Sequence, residues 1–387
     1  GGMKSVLYTS VLQTPILLLG SLIILVLGFK ELGGWDEMMR VCGAVTVNDY
    51  GDTMTNLIRS NDDANFPWLG ALIGSAIIGF WYWCTDQFIV QRVLSGKNEM
   101  EARRGTIFGA YLKLLPVFLF LIPGMIAFAL HQKYIGAGGE GFLPMLENGT
   151  ANADAAFPTL VAKLLPAGVK GLVVCGILAA LMSSLASLFN SSAMLFTIDF
   201  YKRFRPQTSE KKLVGIGQVA TVVIVILGIL WIPIMRSVGD VLYTYLQDVQ
   251  SVLAPGIAAA FLLGICWKRT SAQGGMWGLI SGMVIGLTRL GAKVYYSNAG
   301  EVADSTFKYL FYDMNWLFFC GWMFLFCIIV VIVVSLATEA PTAEKIQGLV
   351  FGTATKEQKA STRASWNHWD IIHTVIILAI TGAFYWY

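Results

Sequence analysis

Apolar residues run along this chain in long blocks separated by short polar stretches, and nine blocks are long enough to cross a bilayer as helices. They cover residues 12–31, 68–91, 105–131, 168–198, 212–235, 241–266, 274–295, 315–338 and 368–387. A helix needs about 20 mostly apolar residues to span the hydrocarbon core. Inside lipid, only helices and closed barrels satisfy their own backbone hydrogen bonds. The pattern predicts an all-α polytopic membrane protein that meets the lipid bilayer on most of its surface.

The polar stretches alternate in character. "QRVLSGKNEMEARR", "YKRFRPQTSEKK", "WKRT" and "EKIQGLVFGTATKEQKASTR" follow the second, fourth, sixth and eighth blocks, whereas the Asp-rich "VNDYGDTMTNLIRSNDDANF" and the Gly-rich "GAGGEGFLPMLENGTANADAAF" lie on alternate connections. Basic loops remain on the cytoplasmic side, so every span alternates in direction and Tyr387 is expected outside. Asn148-Gly149-Thr150 on an outer loop has the form of a glycosylation acceptor, and no weight is placed on it.

Composition adds exclusions. Hydrophobic residues make up 56% of the chain and charged ones 13%, and the net charge is +3; mean hydropathy is +0.65. The basic residues sit in loops and form no face that could follow nucleic acid, so no nucleic-acid partner is expected. Cys42, Cys84, Cys175, Cys266, Cys320 and Cys327 have no paired spacing and fall mostly inside apolar runs, which reads as packing and not as disulfides or a zinc site. His131, His368 and His373 are scattered. "GGMKSVLYTSVLQT" has no charged region followed by a small-residue cleavage site and reads as the middle of something longer. No nucleophile with a base partner marks an enzyme.

Polar groups at membrane depth need a reason, because a charge at the bilayer centre costs about 2.5–3.5 kcal/mol or more. Lys113 lies nine residues past Arg104, which at 1.5 Å per residue is about 13 Å deep. That distance is beyond the reach of a snorkelling stem. Tyr82 and Trp83, ten and nine residues before Arg92, come to the same level on the neighbouring block. They fit either an aromatic belt or the lining of a path. Asp86 and Gln87 fit a cap at a helix break or a partner for Arg92.

In "AALMSSLASLFNSS", Ser183, Ser187, Asn190 and Ser191 recur at helical spacing with Ser184 beside them. Such serines bond back to the preceding turn or join helices, and on residues alone that reading stands ahead. A site for a hard monovalent cation, built of neutral oxygens, is the alternative. Gln247 and Asp248 precede Pro255-Gly256. A straight helix puts Gln247 roughly 30 Å from Lys268, near the outer surface, and Pro255 offers a bend.

Taken together, "FWYWCTDQFIVQR", "YLKLLP", "LMSSLASLFNSS", "TIDFYKR" and "APGIAAAFLLGICWKR" resemble the sodium/solute symporter family, specifically its sodium/glucose cotransporter branch. The resemblance implies two inverted repeats of five helices, the leucine-transporter-type architecture, with substrate and sodium between them. Residues 1–31 would then be the last helix of the first repeat, 68–266 the complete second repeat, and 274–387 three additional C-terminal membrane helices. The first repeat would be mostly missing.

It further implies Tyr82 as an inner gate under a sugar ring with Trp83 beside it, and Lys113 and Gln247 as hydrogen-bonding partners of sugar hydroxyls. The Ala180 carbonyl and the Ser183 and Ser184 hydroxyls would supply part of a site for co-transported Na⁺. Gly79 belongs to the sugar-facing set but stands where sugar carriers often have Asn or Thr, which leaves glucose, galactose, another hexose or a polyol such as myo-inositol open. Ser10 stands where many members have Asp. The implied activity is sodium-coupled sugar transport by alternating access in the plasma membrane; a sugar-gated sensor or leak pathway is the rival.

Overall fold

The computed structural model describes residues 2–146, 149–238, 242–299 and 303–386. Asn148 and Tyr387, named above, lie outside them. Helices follow one another along the chain: α1 (Gly2–Leu32), α2 (Trp35–Gly43), α3 (Trp68–Cys84), α4 (Gln87–Leu94), α5 (Glu99–Leu114), α6 (Ile122–Gly136), α7 (Ala156–Leu164) and α8 (Ala167–Met194). Then come α9 (Lys202–Phe204), α10 (Glu210–Val238), α11 (Leu242–Cys266), α12 (Ala272–Asn298), α13 (Thr306–Lys308), α14 (Trp316–Ala337), α15 (Ala343–Ile346), α16 (Lys356–Ala364) and α17 (His368–Trp386). Among the described residues the only extended pairings are two isolated bridges, Thr46 with Thr53 and Met145 with Ala151.

Among the described residues, seven stretches are long and apolar enough to cross a membrane: Gln13–Leu32, Glu99–Gly136, Ala167–Phe204, Glu210–Pro233, Leu242–Cys266, Trp316–Ala337 and His368–Tyr385. The pair α3 and α4 makes an eighth if counted as one span broken by a 49° bend. The chain is an all-α polytopic membrane protein. The block expected at 274–295 does form a helix, α12, of 27 residues, but it falls outside this set. Six of its residues are glycine, and Arg289 and Lys293 lie in its last turns.

Pro116 lacks an amide donor, and the chain passes it through π-helical turns at Val117–Leu121. One span therefore runs unbroken from Glu99 to Gly136, starting six residues before the expected block.

The chain divides into two compact units, residues 1–56 with 110–234 and residues 57–109 with 235–387. In the first, α1 lies along α8 where glycines remove side chains. A Cβ on Gly20 would collide with Val173, and one on Gly176 would come within 2.9 Å of Ile16. Ile24, Leu32, Ile126, Leu130 and Leu160 are fully buried beside that seam.

In the second unit, Gly70 and Gly74 of α3 admit Leu317 of α14; a Cβ on Gly74 would sit 2.9 Å from the Leu317 carbonyl oxygen. The Cys320 thiol donates to the Gly74 carbonyl at 3.8 Å. Gly274, Gly278, Gly282 and Gly286 recur every fourth residue of α12. The first two admit Ser335 and Val331 of α14, and the last two admit Gly256 and Val252 of α11. Cys42, Cys320 and Cys327 are buried as packing residues should be; Cys84, Cys175 and Cys266 are exposed free thiols, which corrects the expectation for those three. Each lies on an exposed part of a helix whose other residues do the packing.

The Asp-rich loop is structural at Asp63, whose buried carboxylate accepts from the Asn65 and Phe66 amides and pairs with Arg59 at 3.5 Å. Outside the spans, the Arg40 guanidinium hydrogen-bonded to Glu37 holds that carboxyl below its ordinary range, and Lys308 does the same for Asp304.

Candidate functional site

The break between α3 and α4 is built by two consecutive residues, Thr85 and Asp86. The Thr85 hydroxyl donates back to the Trp81 carbonyl at 2.7 Å, and the Thr85 and Asp86 amides converge on the same oxygen. Asp86 then starts α4, its side chain accepting from the Phe88 amide at 2.9 Å. Asp86 is thus a cap at a helix break, as its position suggested. Arg92 lies over the Phe88 ring, 4.4 Å from its centroid.

Immediately before the break, Trp81, Tyr82 and Trp83 form an aromatic row. Tyr82 meets Trp83 edge-on at 5.3 Å between centroids and Trp81 at 6.2 Å. Tyr82 is half-buried and Trp83 is 47% exposed. Gly79 precedes the row by two residues. A Cβ placed there would meet no atom within 4 Å, in contrast to Gly70 and Gly74 on the same helix. Packing requires glycine at those two positions and not at Gly79.

Lys113 is the penultimate residue of α5, exposed, one turn before Pro116. Gln247 is half-buried in the second turn of α11. That helix continues through Pro255 without a break, so Gln247 sits some 28 Å along the axis from Cys266. Gln247 thus lies near the end of α11 opposite Cys266.

The serine stripe of α8 divides by role. Ser187 and Ser191 are buried, and the Ser191 hydroxyl donates to the Ser187 carbonyl at 2.7 Å, a bond within the helix. Ser183 reaches across to α1, its Oγ 3.0 Å from that of Ser10. Ala180 is half-buried one turn earlier, and Ser184 is exposed beside Ser183. The hydroxyl of Ser183 thus serves helix-to-helix contact, and it is one of several neutral oxygens on this face.

The residues expected to meet ligands divide between the two units. Lys113, Ala180, Ser183 and Ser184 belong to the first, and Gly79, Tyr82, Trp83 and Gln247 to the second. Within the units the structure brings Tyr82 to Trp83, and Ser183 to Ser10.

One polar centre escaped the sequence reading. Arg289 of α12 is fully buried, and its guanidinium donates to the Met314 carbonyl at 2.8 Å and to the Leu310 carbonyl at 3.4 Å. It pairs with Asp248 at 3.4 Å and stacks on Phe319 at 4.0 Å. Lys293 holds the other Asp248 oxygen at 3.2 Å. The signal was present: an arginine near the end of an apolar block, and an aspartate beside Gln247.

Comparison with known proteins gives the family. The chain is 36% identical to the human sodium/myo-inositol cotransporter 2 over 364 residues, 91% of this chain and 54% of that protein. It is 35% identical to the bovine sodium/mannose cotransporter SLC5A10 over 414 residues, covering all of this chain and 68% of that protein. Identity to the sheep sodium/glucose cotransporter 1 is 38% over 366 residues, 88% of this chain and 54% of that one. The chain thus spans about half the length of most of these relatives. The family described as "Sodium:solute symporter family" matches residues 1–282, a stretch that holds every residue expected to meet a ligand, and the chain belongs to that family.

Proposed function

We propose that the protein carries a sugar or a closely related polyol across the plasma membrane together with Na⁺, by alternating access. The observation that carries this reading is family membership over residues 1–282. The names of the relatives supply the substrate class, since myo-inositol, mannose and glucose are all rings bearing several hydroxyls. A helix broken beside three aromatic rings, with open space at Gly79, is chemically suited to such a ring: apolar faces stack on the aromatics and hydroxyls seek polar partners.

In this reading Tyr82 and Trp83 stack against the sugar, Lys113 and Gln247 hydrogen-bond its hydroxyls, and Gly79 leaves room where other carriers place a side chain. The Ala180 carbonyl and the Ser183 and Ser184 hydroxyls contribute to the Na⁺ site, with Ser183 exchanging its bond to Ser10 for the ion. Residues 1–31 and 68–266 are helices of the two inverted repeats, 274–387 is a C-terminal addition, and the basic loops face the cytoplasm.

At a tenfold sodium gradient and 100 mV, one Na⁺ supplies about 1.4 plus 2.3 kcal/mol, enough for a several-hundred-fold sugar gradient at most. The test is uptake of labelled glucose, mannose and myo-inositol into liposomes holding a transport-competent form of the protein, with and without a sodium gradient. Sodium-dependent accumulation of one of the three is the expected result. Sugar-dependent current without accumulation would instead mark a sensor or leak pathway.

A further inference from the structure

We propose that Arg289 is a positioning residue for Gln247, acting through Asp248; this rests on the reading of Gln247 as a sugar contact. The glycine contacts between α11 and α12 end at Gly286 with Val252. One turn further out on α11 comes Asp248, and there the two helices are joined by charge. Arg289 and Lys293, three and seven residues past Gly286, each take one carboxylate oxygen of Asp248.

A buried guanidinium is costly unless it is paired and hydrogen-bonded. Arg289, with no exposed surface, meets that demand at its terminal nitrogens through Asp248 and the Met314 and Leu310 carbonyls, with the Phe319 ring against its face, while its Nε has no hydrogen-bond partner among the described residues. Releasing Asp248 would leave the charge short of its only carboxylate among these partners, so the aspartate stays turned toward α12. Gln247 is the preceding residue on the same helix, about 100° round the axis. Fixing Asp248 therefore fixes the direction in which Gln247 points, near the described start of α11 at Leu242.

The decisive measurement is a double-mutant cycle in a transport-competent form of the protein, using whichever of glucose, mannose and myo-inositol it takes up. Arg289→Met is expected to raise the half-saturating sugar concentration by about three- to tenfold, the loss of one well-aimed hydrogen bond. The half-saturating sodium concentration should hold, and Arg289→Lys should fall between the two. On a Gln247→Ala background, Arg289→Met should add nothing to the sugar shift, because both act through one contact.

A sugar shift that multiplies with that of Gln247→Ala, or one in which sugar and sodium affinities move together, would overturn the proposal in favour of a purely structural role. An effective Gln247→Ala with a silent Arg289→Met overturns this proposal alone. A silent Gln247→Ala overturns the sugar contact and this proposal with it. If Arg289→Met does not reach the membrane, Lys293→Met replaces it, since Lys293 is partly exposed. Its expected shift is about twofold in the same direction and likewise lost on the Gln247→Ala background; a shift that persists there, or none at all, overturns the proposal.

Discussion

The two compact units solve the same problem with different chemistry. The first, residues 1–56 with 110–234, joins α1 to α8 by glycine seams and a bond between two neutral hydroxyls, Ser10 and Ser183. The ion pair described in it, Glu37 with Arg40, is on α2, outside the spans. The second unit, residues 57–109 with 235–387, also uses glycine seams but adds Asp248, Arg289 and Lys293 between its helices. A fixed charge close to a cation site would compete with the ion or trap it, whereas neutral oxygens bind it and let it go. The seam that carries Ser183 is thus joined by neutral groups, the charged contacts of its unit lying elsewhere, as where Lys133 of α6 donates to the Glu31 and Leu32 carbonyls of α1, whereas α11 and α12 of the second unit are held together by charge.

The sharpest way to break this comparison is at the seams. Gly74→Leu should abolish accumulation of folded protein, because the new side chain meets the backbone of Leu317 and not the yielding end of a side chain; the cost exceeds the roughly 1–3 kcal/mol of ordinary overpacking. Size-exclusion profiles of the detergent-extracted protein check this.

Next in size is Lys113→Ala. Loss of a charge-assisted hydrogen bond worth about 1.5–3 kcal/mol should raise the half-saturating sugar concentration roughly ten- to hundredfold while sodium dependence changes less. Unchanged sugar affinity in labelled-uptake assays would remove Lys113 from the sugar path.

Ser183→Ala combined with Ser184→Ala should raise the half-saturating sodium concentration by about tenfold, since two methyl groups replace oxygens that a desolvated cation needs. The helix itself should hold, because alanine favours it. A retained sodium activation curve would make the whole stripe structural. The smallest effect belongs to Gly79→Asn. With no atom near the new Cβ, thermal stability should stay within about 0.5 kcal/mol, and half-saturating sugar should fall by a few-fold as one hydroxyl gains a partner. A large loss of folded protein would show that Gly79, like Gly74, is a packing glycine.

Much of this was legible from the sequence. Eight of the nine apolar blocks are spans once the bent pair is counted as one, and the cap at Asp86 followed from a polar triplet interrupting an apolar run. The limits have physical causes. A helix lined with glycine is packed through its backbone, so α12 is less apolar than a span packed through large side chains. Arg289 was overlooked because its partners lie on two other segments, at Asp248 and at Leu310 to Phe319, and no spacing in one segment announces them. The serine stripe looked uniform along the chain, yet only the neighbouring helix decides that Ser183 bonds outward and Ser191 bonds back.

The glycine ladder of α12 also bears on how the protein is made. Glycine contributes almost nothing to partitioning into lipid, and Arg289 and Lys293 oppose it, so this segment gives the insertion machinery a weak signal of its own. Its transfer free energy becomes favourable only when α11 and α14 cover the ladder and Asp248 pairs with the two cations. An insertion assay on residues 272–298 alone should therefore show mostly translocated or lumenal product, and the same segment flanked by α11 and α14 should integrate. For this helix, entering the bilayer and finding its neighbours are one event.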